Sequence, residues 1–232
     1  MVVATRRLNP DPMPTPAPSV DIMPRLRERT ARIHAATEDL PLMRALLAPA
    51  ADAETYDRYL SALHGVYLAV EPVLYANLSP ALLSLLGVRP KLPALQQDRA
   101  ALAMRLDASP RTLAALPAPG LPSRMRAAVQ DEPTALGGLY VLEGATLGGR
   151  VIARRLRQQW GPDCEMPFAF LEFRGANPGS EWRRFGNGIN LWCARHPDGD
   201  AARVGDRVIA GAIAVFELMH EAFRDAGPGD TL

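Results

Sequence analysis

The sequence is poor in lysine and cysteine, and neither sign of charge is in excess. Lys91 is the only lysine among 26 Lys and Arg residues, and 25 acidic residues leave a formal net charge of +1. This balance gives no electrostatic reason to expect a nucleic-acid partner or an anionic membrane surface. The two cysteines, Cys164 and Cys193, form no C-x-x-C pair and imply no disulfide framework, so we expect a reducing, cytoplasmic setting.

Long apolar runs are also missing. No span of about 18 apolar residues occurs, and the N-terminus lacks the apolar core of a signal peptide, so we expect no membrane helix. The alternation of apolar and polar residues that is typical of strands is absent too, and we find no internal repeat. The 232 residues are 48% hydrophobic, which is enough for one domain with a sizeable core.

Proline and helical periodicity divide the chain into two parts. Alternating prolines from Pro10 to Pro18 forbid helix and sheet pairing, which predicts a disordered Pro-rich tail over residues 1–20. Apolar residues at helical spacing predict an all-α, single-domain bundle of about eight helices over residues 21–226. The helical segments are 21–38, 42–47, 53–77, 80–86, 93–106, 123–130, 134–160, 180–195 and 201–224, and 161–179 is predicted to be a loop with a short helical insert.

Several common catalytic motifs do not occur. There is no H-E-x-x-H, no G-x-S-x-G and no Walker loop, so a zincin, an α/β-hydrolase and a P-loop enzyme are all excluded. A di-iron carboxylate bundle needs Glu-x-x-His on two helices, and only Glu217 to His220 matches. Neither cysteine has the neighbours that a thiolate nucleophile needs.

Glycine is concentrated in one segment that otherwise reads as a single helix, residues 134–160. Five glycines lie within 137–149, and each costs a helix about 0.8–1 kcal/mol relative to alanine. At about 100° per residue, Gly137, Gly144 and Gly148 share one narrow stripe, with Gly138 and Gly149 beside it. Two explanations remain open on this pattern alone: close packing of a second helix, or a platform for a flat, bulky ligand.

One of the four histidines has a carboxylate one helical turn away. His34 and Glu38 lie at positions i and i+4 of the first predicted helix, whereas His64 is expected in the core, His196 in an exposed turn and His220 partly buried. A histidine that binds a metal usually donates its second ring N–H to a carboxylate, carbonyl or water. Taken alone, such a pair is more typical of a helix surface.

Two stretches in combination resemble the bacterial haem oxygenases, above all the branch associated with bacteriophytochromes. They are Leu26-Arg-Glu-Arg-Thr-Ala-Arg-Ile-His34-Ala-Ala-Thr-Glu38 and Gly138-Leu-Tyr140-Val-Leu-Glu143-Gly144-Ala-Thr-Leu-Gly148-Gly149, and the likeness spans about residues 22–224. The resemblance implies that haem, both cofactor and substrate, lies between these helices. O₂ and external electrons would open it to biliverdin, CO and Fe²⁺, with no other metal.

The same resemblance implies roles for individual residues. His34 matches the proximal iron ligand, Glu38 a residue that orients it, and Gly144, Gly148 and Gly149 the glycines that let the backbone approach dioxygen. Ala145 stands where several family members have an aspartate that anchors water, so only Thr146 retains a hydroxyl for a water network. Further haem contacts are implied for Arg27 and for Arg183 or Arg184 with the propionates, and for Tyr140 and Phe216, with Trp182 and Phe185 as other candidates.

Three hypotheses follow for the activity. The first is a biliverdin-producing haem oxygenase, whose partners would be a ferredoxin or flavin reductase as electron donor and a bacteriophytochrome as acceptor of biliverdin. The second, which Ala145 motivates, is a non-catalytic haem-binding or haem-storage protein on the same fold. The third is another enzyme on this scaffold, such as a thiaminase-like hydrolase or a di-iron oxidase, and the missing motifs oppose it.

Overall fold

The computed structural model describes residues 21–106, 119–162, 164–175 and 177–227. Over these ranges the chain forms ten α-helices and no strand, which confirms the all-α prediction and exceeds the expected number of about eight helices. The predicted disordered tail, residues 1–20, lies outside the described residues. The helices are α1 Ile22–Glu38, α2 Pro41–Leu47, α3 Ala53–Ala76, α4 Pro80–Leu86, α5 Leu92–Arg105, α6 Leu121–Ala128, α7 Glu132–Ala145, α8 Gly149–Trp160, α9 Pro178–Ala194 and α10 Ala201–Asp225.

Short polar side chains begin half of these helices. In each case the side chain before the first helical residue accepts a hydrogen bond from a backbone N–H of the first turn, which would otherwise have no partner. These N-terminal caps are Asp21, Asp52, Ser79, Asp131 and Asp200. Because capping is a local interaction, the predicted starts of α1, α3, α4 and α10 agree with the structure within one residue.

The prediction of one continuous helix over 134–160 is wrong. The structure has two helices, α7 and α8, which are separated by a turn at residues 146–148. The amide of Leu147 donates to the carbonyl of Gly144 at 2.9 Å, a three-residue spacing that ends the α-helical pattern. The short helical insert expected within 161–179 is not found, because residues 164–168 have no regular structure, residues 169–175 form turns, and α9 begins at Pro178.

The last helix, α10, lies at the centre of the bundle. It packs along α7 most extensively and also contacts α1 and α3. Its buried side chains include Val208, Val215 and Phe216. Since α1 and α7 both rest on α10, this helix fixes the position of one relative to the other.

The long helix α3 supplies much of the core. His64 on this helix is 7% exposed, and its Nδ1 lies 2.9 Å from Arg99 Nη1, as expected for a packed and hydrogen-bonded histidine. Among the described helices, none alone has the length and hydropathy to span a membrane. The pair α3 and α4 would pass that test together, but a bend of 116° separates them.

Candidate functional site

His34 lies on α1 at the edge between its exposed and buried faces. The buried face adjoins it and includes Leu26, Thr30 and Thr37. The side chain of His34 is 55% exposed. The residues on its solvent side are exposed, namely Arg27, Ala31 and Glu38.

Glu38 and Phe216 fix the surroundings of the His34 ring. Nδ1 of His34 lies 3.4 Å from an Oε2 of Glu38, and the ring meets the Phe216 ring edge-on with centroids 5.6 Å apart. A neutral imidazole that carries its proton on Nδ1, directed at this carboxylate, presents the lone pair of Nε2 in the other direction. The expected pairing of His34 with a carboxylate one turn away is therefore present.

The first helix meets the glycine helix through a tyrosine. The Tyr140 phenol on α7 lies close to the Thr30 side chain on α1. Burial raises the pKa of Tyr140, while Thr30 and the nearby charge of Arg27 oppose the increase. His34 follows Thr30 by one turn, and Gly144 follows Tyr140 by one turn. Both therefore lie about 6 Å, measured along their helices, from the contact between α1 and α7.

Three of the five glycines are explained by packing within the protein. A Cβ on Gly137 would overlap the carbonyl oxygen of Val208 on α10, and one on Gly149 would overlap the backbone of Leu171. A Cβ on Gly138 would lie 2.6 Å from a methyl carbon of Leu74. At these positions the absence of a side chain lets other parts of the chain approach closely.

The other two glycines face open space. A Cβ on Gly144 would meet only the Trp182 ring, at 4.0 Å, and one on Gly148 would meet nothing within 4 Å. Gly148 also has φ −76°, a conformation that any residue adopts, so its backbone does not require glycine. Both explanations of the glycine stripe therefore apply, but to different residues. Gly144 and Gly148 alone leave a bare flank.

Aromatic side chains border this bare flank. The Tyr140 and Trp182 rings lie with centroids 5.5 Å apart, and Trp182 stacks on Phe185 at 5.4 Å. Phe185 is buried, whereas Trp182 and Tyr140 are only partly buried. The exposed portions of Trp182 and Tyr140 give the region beside Gly144 an apolar wall.

Thr146 has different partners from those that the resemblance implies. The residue is 1% exposed, its hydroxyl donates to the carbonyl of Glu143 at 2.9 Å, and it accepts from Nε of Arg174 at 3.0 Å. A hydroxyl has one proton, and here that proton is used inside the protein. Ala145 contributes no polar group, so residues 145 and 146 offer no hydroxyl proton to a water beside Gly144.

A buried charged cluster, which the sequence analysis did not identify, lies behind the turn at 146–148. The carboxylate of Glu143 forms ion pairs with Lys91 and Arg174, and all three residues are 5% exposed or less. Burial lowers the pKa of Lys91, and Glu143 opposes that effect. The sequence did contain a pattern that indicates this cluster. Glu143 interrupts an apolar helical run, and a buried carboxylate needs charged or hydrogen-bonding partners.

The arginines proposed to hold propionates occupy different surroundings. Arg27 lies on the same exposed stripe of α1 as His34. Arg184 on α9 donates to the carbonyl of Ser84 at 3.3 Å and lies against Gly87, so its guanidinium is directed toward α4. Arg183 is exposed and extends past Gly179, in the first turn of its own helix. Of the three, Arg27 is the one that shares a helix face with His34.

The remaining titratable residues give no second candidate site. Over the described ranges, no group of three or more His, Cys, Asp and Glu side chains is arranged to hold a metal ion. His220 is partly buried, as expected, and its Nδ1 lies 3.2 Å from the Thr37 hydroxyl. His196 is less exposed than expected, with 13% of its side chain accessible, because its ring packs on Trp192 at 4.8 Å.

Comparison with known proteins bears on this arrangement. Residues 20–225 match the heme oxygenase family. A heme oxygenase from Xanthomonas campestris pv. campestris (strain 8004) is 33% identical over 183 residues, which are 77% of this chain and 94% of that protein.

Solved structures of low sequence identity share the fold. Heme oxygenase from Leptospira interrogans has a TM-score of 0.67 at 19% identity and covers 89% of this chain and 100% of its own. Heme oxygenase-1 from the cyanobacterium Synechocystis sp. PCC6803, solved in complex with heme, has a TM-score of 0.64 at 19% identity and covers 89% and 92%. The match over residues 20–225, taken with the identity to the Xanthomonas protein, shows that the chain is a member of the heme oxygenase family, whose members are oxidoreductases.

Proposed function

We propose that the protein converts haem into biliverdin, CO and Fe²⁺, with O₂ as oxidant and electrons from a separate donor. The observation that carries the proposal is the open flank of Gly144 and Gly148, which begins one turn after Tyr140, the residue of α7 that lies close to Thr30 on the helix of His34. A flat macrocycle needs a side-chain-free surface on one face and an iron ligand on the other. Family membership supports haem as the molecule that is degraded.

The side chains around His34 fit a haem. Nε2 of His34 would bind the iron, and Glu38 would hold the ring orientation through Nδ1, from which it lies 3.4 Å. Arg27 on the same face would pair with a propionate. Phe216 against the His34 ring, and Tyr140 and Trp182 near Gly144, would provide apolar contacts with the porphyrin.

The protein's own residues would bind, orient and shield the substrate. Bound haem supplies both the iron that activates O₂ and the meso carbon that is oxidised. Gly144 and Gly148 would leave room for a small ligand above the iron, while Trp182 closes one side of that space. Tyr140, close to Thr30 on α1, would place its ring between α1 and α7 beside the substrate.

A turnover assay tests the proposal. Purified protein is incubated with haemin, a chemical reductant and air, and the visible spectrum is followed while CO is trapped with deoxymyoglobin. We expect the Soret band to be replaced by biliverdin absorption in the wild type. His34→Ala should lose the coordinated haem spectrum, and His196→Ala, which alters a histidine in the turn that follows α9, should behave like the wild type. An unchanged spectrum in the wild type would contradict the proposal.

A second candidate function is haem binding or storage without turnover. It is favoured by one observation: Ala145 has no polar group, and the hydroxyl of Thr146 is buried and donated to Glu143. A site without a proton donor beside the iron holds O₂ more readily than it cleaves it. A dioxygen complex that persists for hours under excess reductant, with no biliverdin, would favour storage over catalysis.

The partners are proposals that rest on the resemblance. The electron donor would be a ferredoxin or a flavin reductase, and the acceptor of biliverdin a bacteriophytochrome, all in the cytoplasm. Equal amounts of each reductant can be compared in the turnover assay, in which the native class should support the higher rate. Transfer is tested by adding an apo-bacteriophytochrome to the reaction and recording whether its far-red absorption develops faster than with free biliverdin.

A further inference from the structure

Arg174 ties together the end of α7 and the turn that follows. Its Nε donates to the hydroxyl of Thr146 at 3.0 Å, and its Nη2 donates to the carbonyl of Glu143 at 3.3 Å and to the carboxylate of the same residue. Lys91 pairs with the other carboxylate oxygen of Glu143. One planar guanidinium therefore satisfies three acceptors, which a point charge such as ammonium does not reproduce.

These contacts involve the carbonyl at which α7 leaves the α-helical pattern. In a continuous helix the carbonyl of Glu143 would accept from the amide of Leu147, four residues later. Here the amide of Leu147 donates to Gly144 instead, and the carbonyl of Glu143 accepts from Thr146 and Arg174. Side chains thus replace the backbone donor at this carbonyl, and the helix stops.

The segment that carries Arg174 is itself anchored. The buried carboxylate of Asp98 accepts from the amides of Ala169 and Phe170 at 2.6 and 2.9 Å. The backbone of Leu171 lies directly against Gly149, the first residue of α8. Arg174 therefore acts on the turn from a fixed position.

Lys91 is anchored in the same way on the other side of the cluster. Its backbone N–H donates to Oε1 of Glu71 at 2.7 Å, and the amide of Leu92 donates to Oε2 at 3.0 Å. Glu71 belongs to α3, which lies in the core. The cluster consequently connects the turn to α3 and to the segment that carries Arg174.

A buried ion cluster is not an efficient way to stabilise a fold. Well-packed apolar residues of similar volume often serve as well or better, because charges lose their hydration on burial. What the cluster provides is a set of directed hydrogen bonds at Glu143 and Thr146, the residues that flank Gly144 and Ala145. That favours a role in setting the local backbone conformation.

We propose that Lys91, Glu143 and Arg174 are positioning residues, which hold the turn at 146–148 in the conformation that presents Gly144 and Gly148 to the haem. The proposal rests on the proposed function of the site. The three side chains act on the substrate through the backbone of the turn, and they set the space above the iron without contacting it.

The first test uses the protein without haem. Hydrogen–deuterium exchange is measured for peptides that cover residues 144–150 and for peptides from α3. The wild type is compared with Arg174→Lys, which keeps the positive charge but loses the planar guanidinium with its several N–H donors. We expect exchange at 144–150 to become about tenfold faster or more, relative to α3, because hydrogen bonds to a charged group are lost there. The matched control is Glu172→Gln, which breaks the bidentate pair with Arg157 (2.5 and 2.8 Å) on the same segment and should leave 144–150 unchanged.

The second test uses the haem complex. The dissociation rate of CO from ferrous haem should change several-fold in Arg174→Lys. The wild type should produce a single biliverdin isomer, and Arg174→Lys should produce a mixture of isomers. Glu172→Gln should change neither. If Arg174→Lys does not fold, Thr146→Val removes the hydroxyl bond to the carbonyl of Glu143 while it preserves the side-chain shape, and it should shift both readouts in the same direction.

Two results would overturn the proposal. One is unchanged exchange at 144–150 in a folded Arg174→Lys protein; the other is an equal increase in every helix, which indicates general destabilisation. Failure of the proposed function gives another result, because the wild type would then yield no biliverdin. The exchange experiment does not depend on haem, so it would still show whether Arg174 holds the turn at 146–148.

Discussion

Replacing Gly144 by alanine should stabilise the haem-free protein and impair the haem complex. The added methyl group would meet only the ring of Trp182, at 4.0 Å, which is ordinary van der Waals contact. Alanine is favoured over glycine inside a helix by about 0.8–1 kcal/mol. Because Gly144 is the penultimate residue of α7, we expect a smaller gain than in a helix interior, about 0.5 kcal/mol.

Gly137→Ala provides the matched contrast on the same stripe of the same helix. Its added carbon would overlap the carbonyl oxygen of Val208 and lie 2.7 Å from the amide nitrogen of Ala212. Both atoms belong to the backbone of α10, so neither can move without displacing that helix. Overpacking of this kind costs about 1–3 kcal/mol or more, which exceeds the gain in helix propensity. We expect a net loss of at least about 1–2 kcal/mol.

Urea unfolding of the haem-free proteins, followed by circular dichroism, measures both effects. In thermal unfolding, 1 kcal/mol corresponds to about 2–4 °C for a chain of this size. Gly144→Ala should therefore raise the Tm by about 1–2 °C, and Gly137→Ala should lower it by several degrees. The same preparations are then loaded with haemin and reduced, and we expect Gly144→Ala to weaken O₂ and CO binding or slow ring opening about tenfold, since its methyl group occupies the ligand space.

Either of two results would refute this reasoning. If Gly144→Ala destabilises the haem-free protein by more than about 1 kcal/mol, the flank is not open as the structure shows. If it stabilises the protein but leaves ligand binding and turnover unchanged, the glycine is not needed for the haem, and the open flank has another use.

Three other perturbations test separate parts of the structure. Glu38→Ala should weaken haemin affinity by about tenfold, because the carboxylate near Nδ1 of His34 orients the ring, and a haemin titration that matches the wild type would contradict this. Ala145→Ser should raise the turnover rate about tenfold or more if the site lacks a positioned hydroxyl, since a placed proton donor contributes about 10²–10⁴-fold; an equal or slower rate would count against that role. Burial raises the pKa of Asp98 from 3.8 to about 6 despite its two backbone donors, so the folded state binds more protons than the unfolded state between these values and stability should fall by about 3 kcal/mol as pH rises through this window. Because pH 4.5 already lies above 3.8, urea unfolding at pH 4.5 and 7 should show about 2 kcal/mol of this decrease in the wild type, and a decrease of the same size in Asp98→Asn would rule out Asp98 as its source.

Most of the fold was predictable because its signals are local. The starts of α1, α3 and α4 follow from Asp21, Asp52 and Ser79, whose side chains bond amides two or three residues away. The pairing of His34 with Glu38 follows from the pitch of a helix. The break between α7 and α8 was not predictable in this way, because Arg174 lies about thirty residues from the carbonyl of Glu143 that it binds.

The candidate site also has features that local sequence predicts and features that depend on distant residues. A glycine in a helix signals that no side chain is tolerated or needed, but it does not say what fills the space. Packing against α10 explains Gly137, whereas Gly144 and Gly148 face open space. The buried position of Thr146 and the cluster around Glu143 likewise depend on residues 91 and 174, whose approach no local pattern encodes.

Residue types and spacing were enough to predict an all-α chain, the pairing of His34 with Glu38, and a glycine-rich helix that something approaches closely. The packing of the helices was needed to show which glycines other segments cover and which stay open, where the glycine helix ends, and that the single lysine is buried beneath it. Helices arise from contacts within four residues, whereas the shape of a site arises from contacts between segments far apart in the chain.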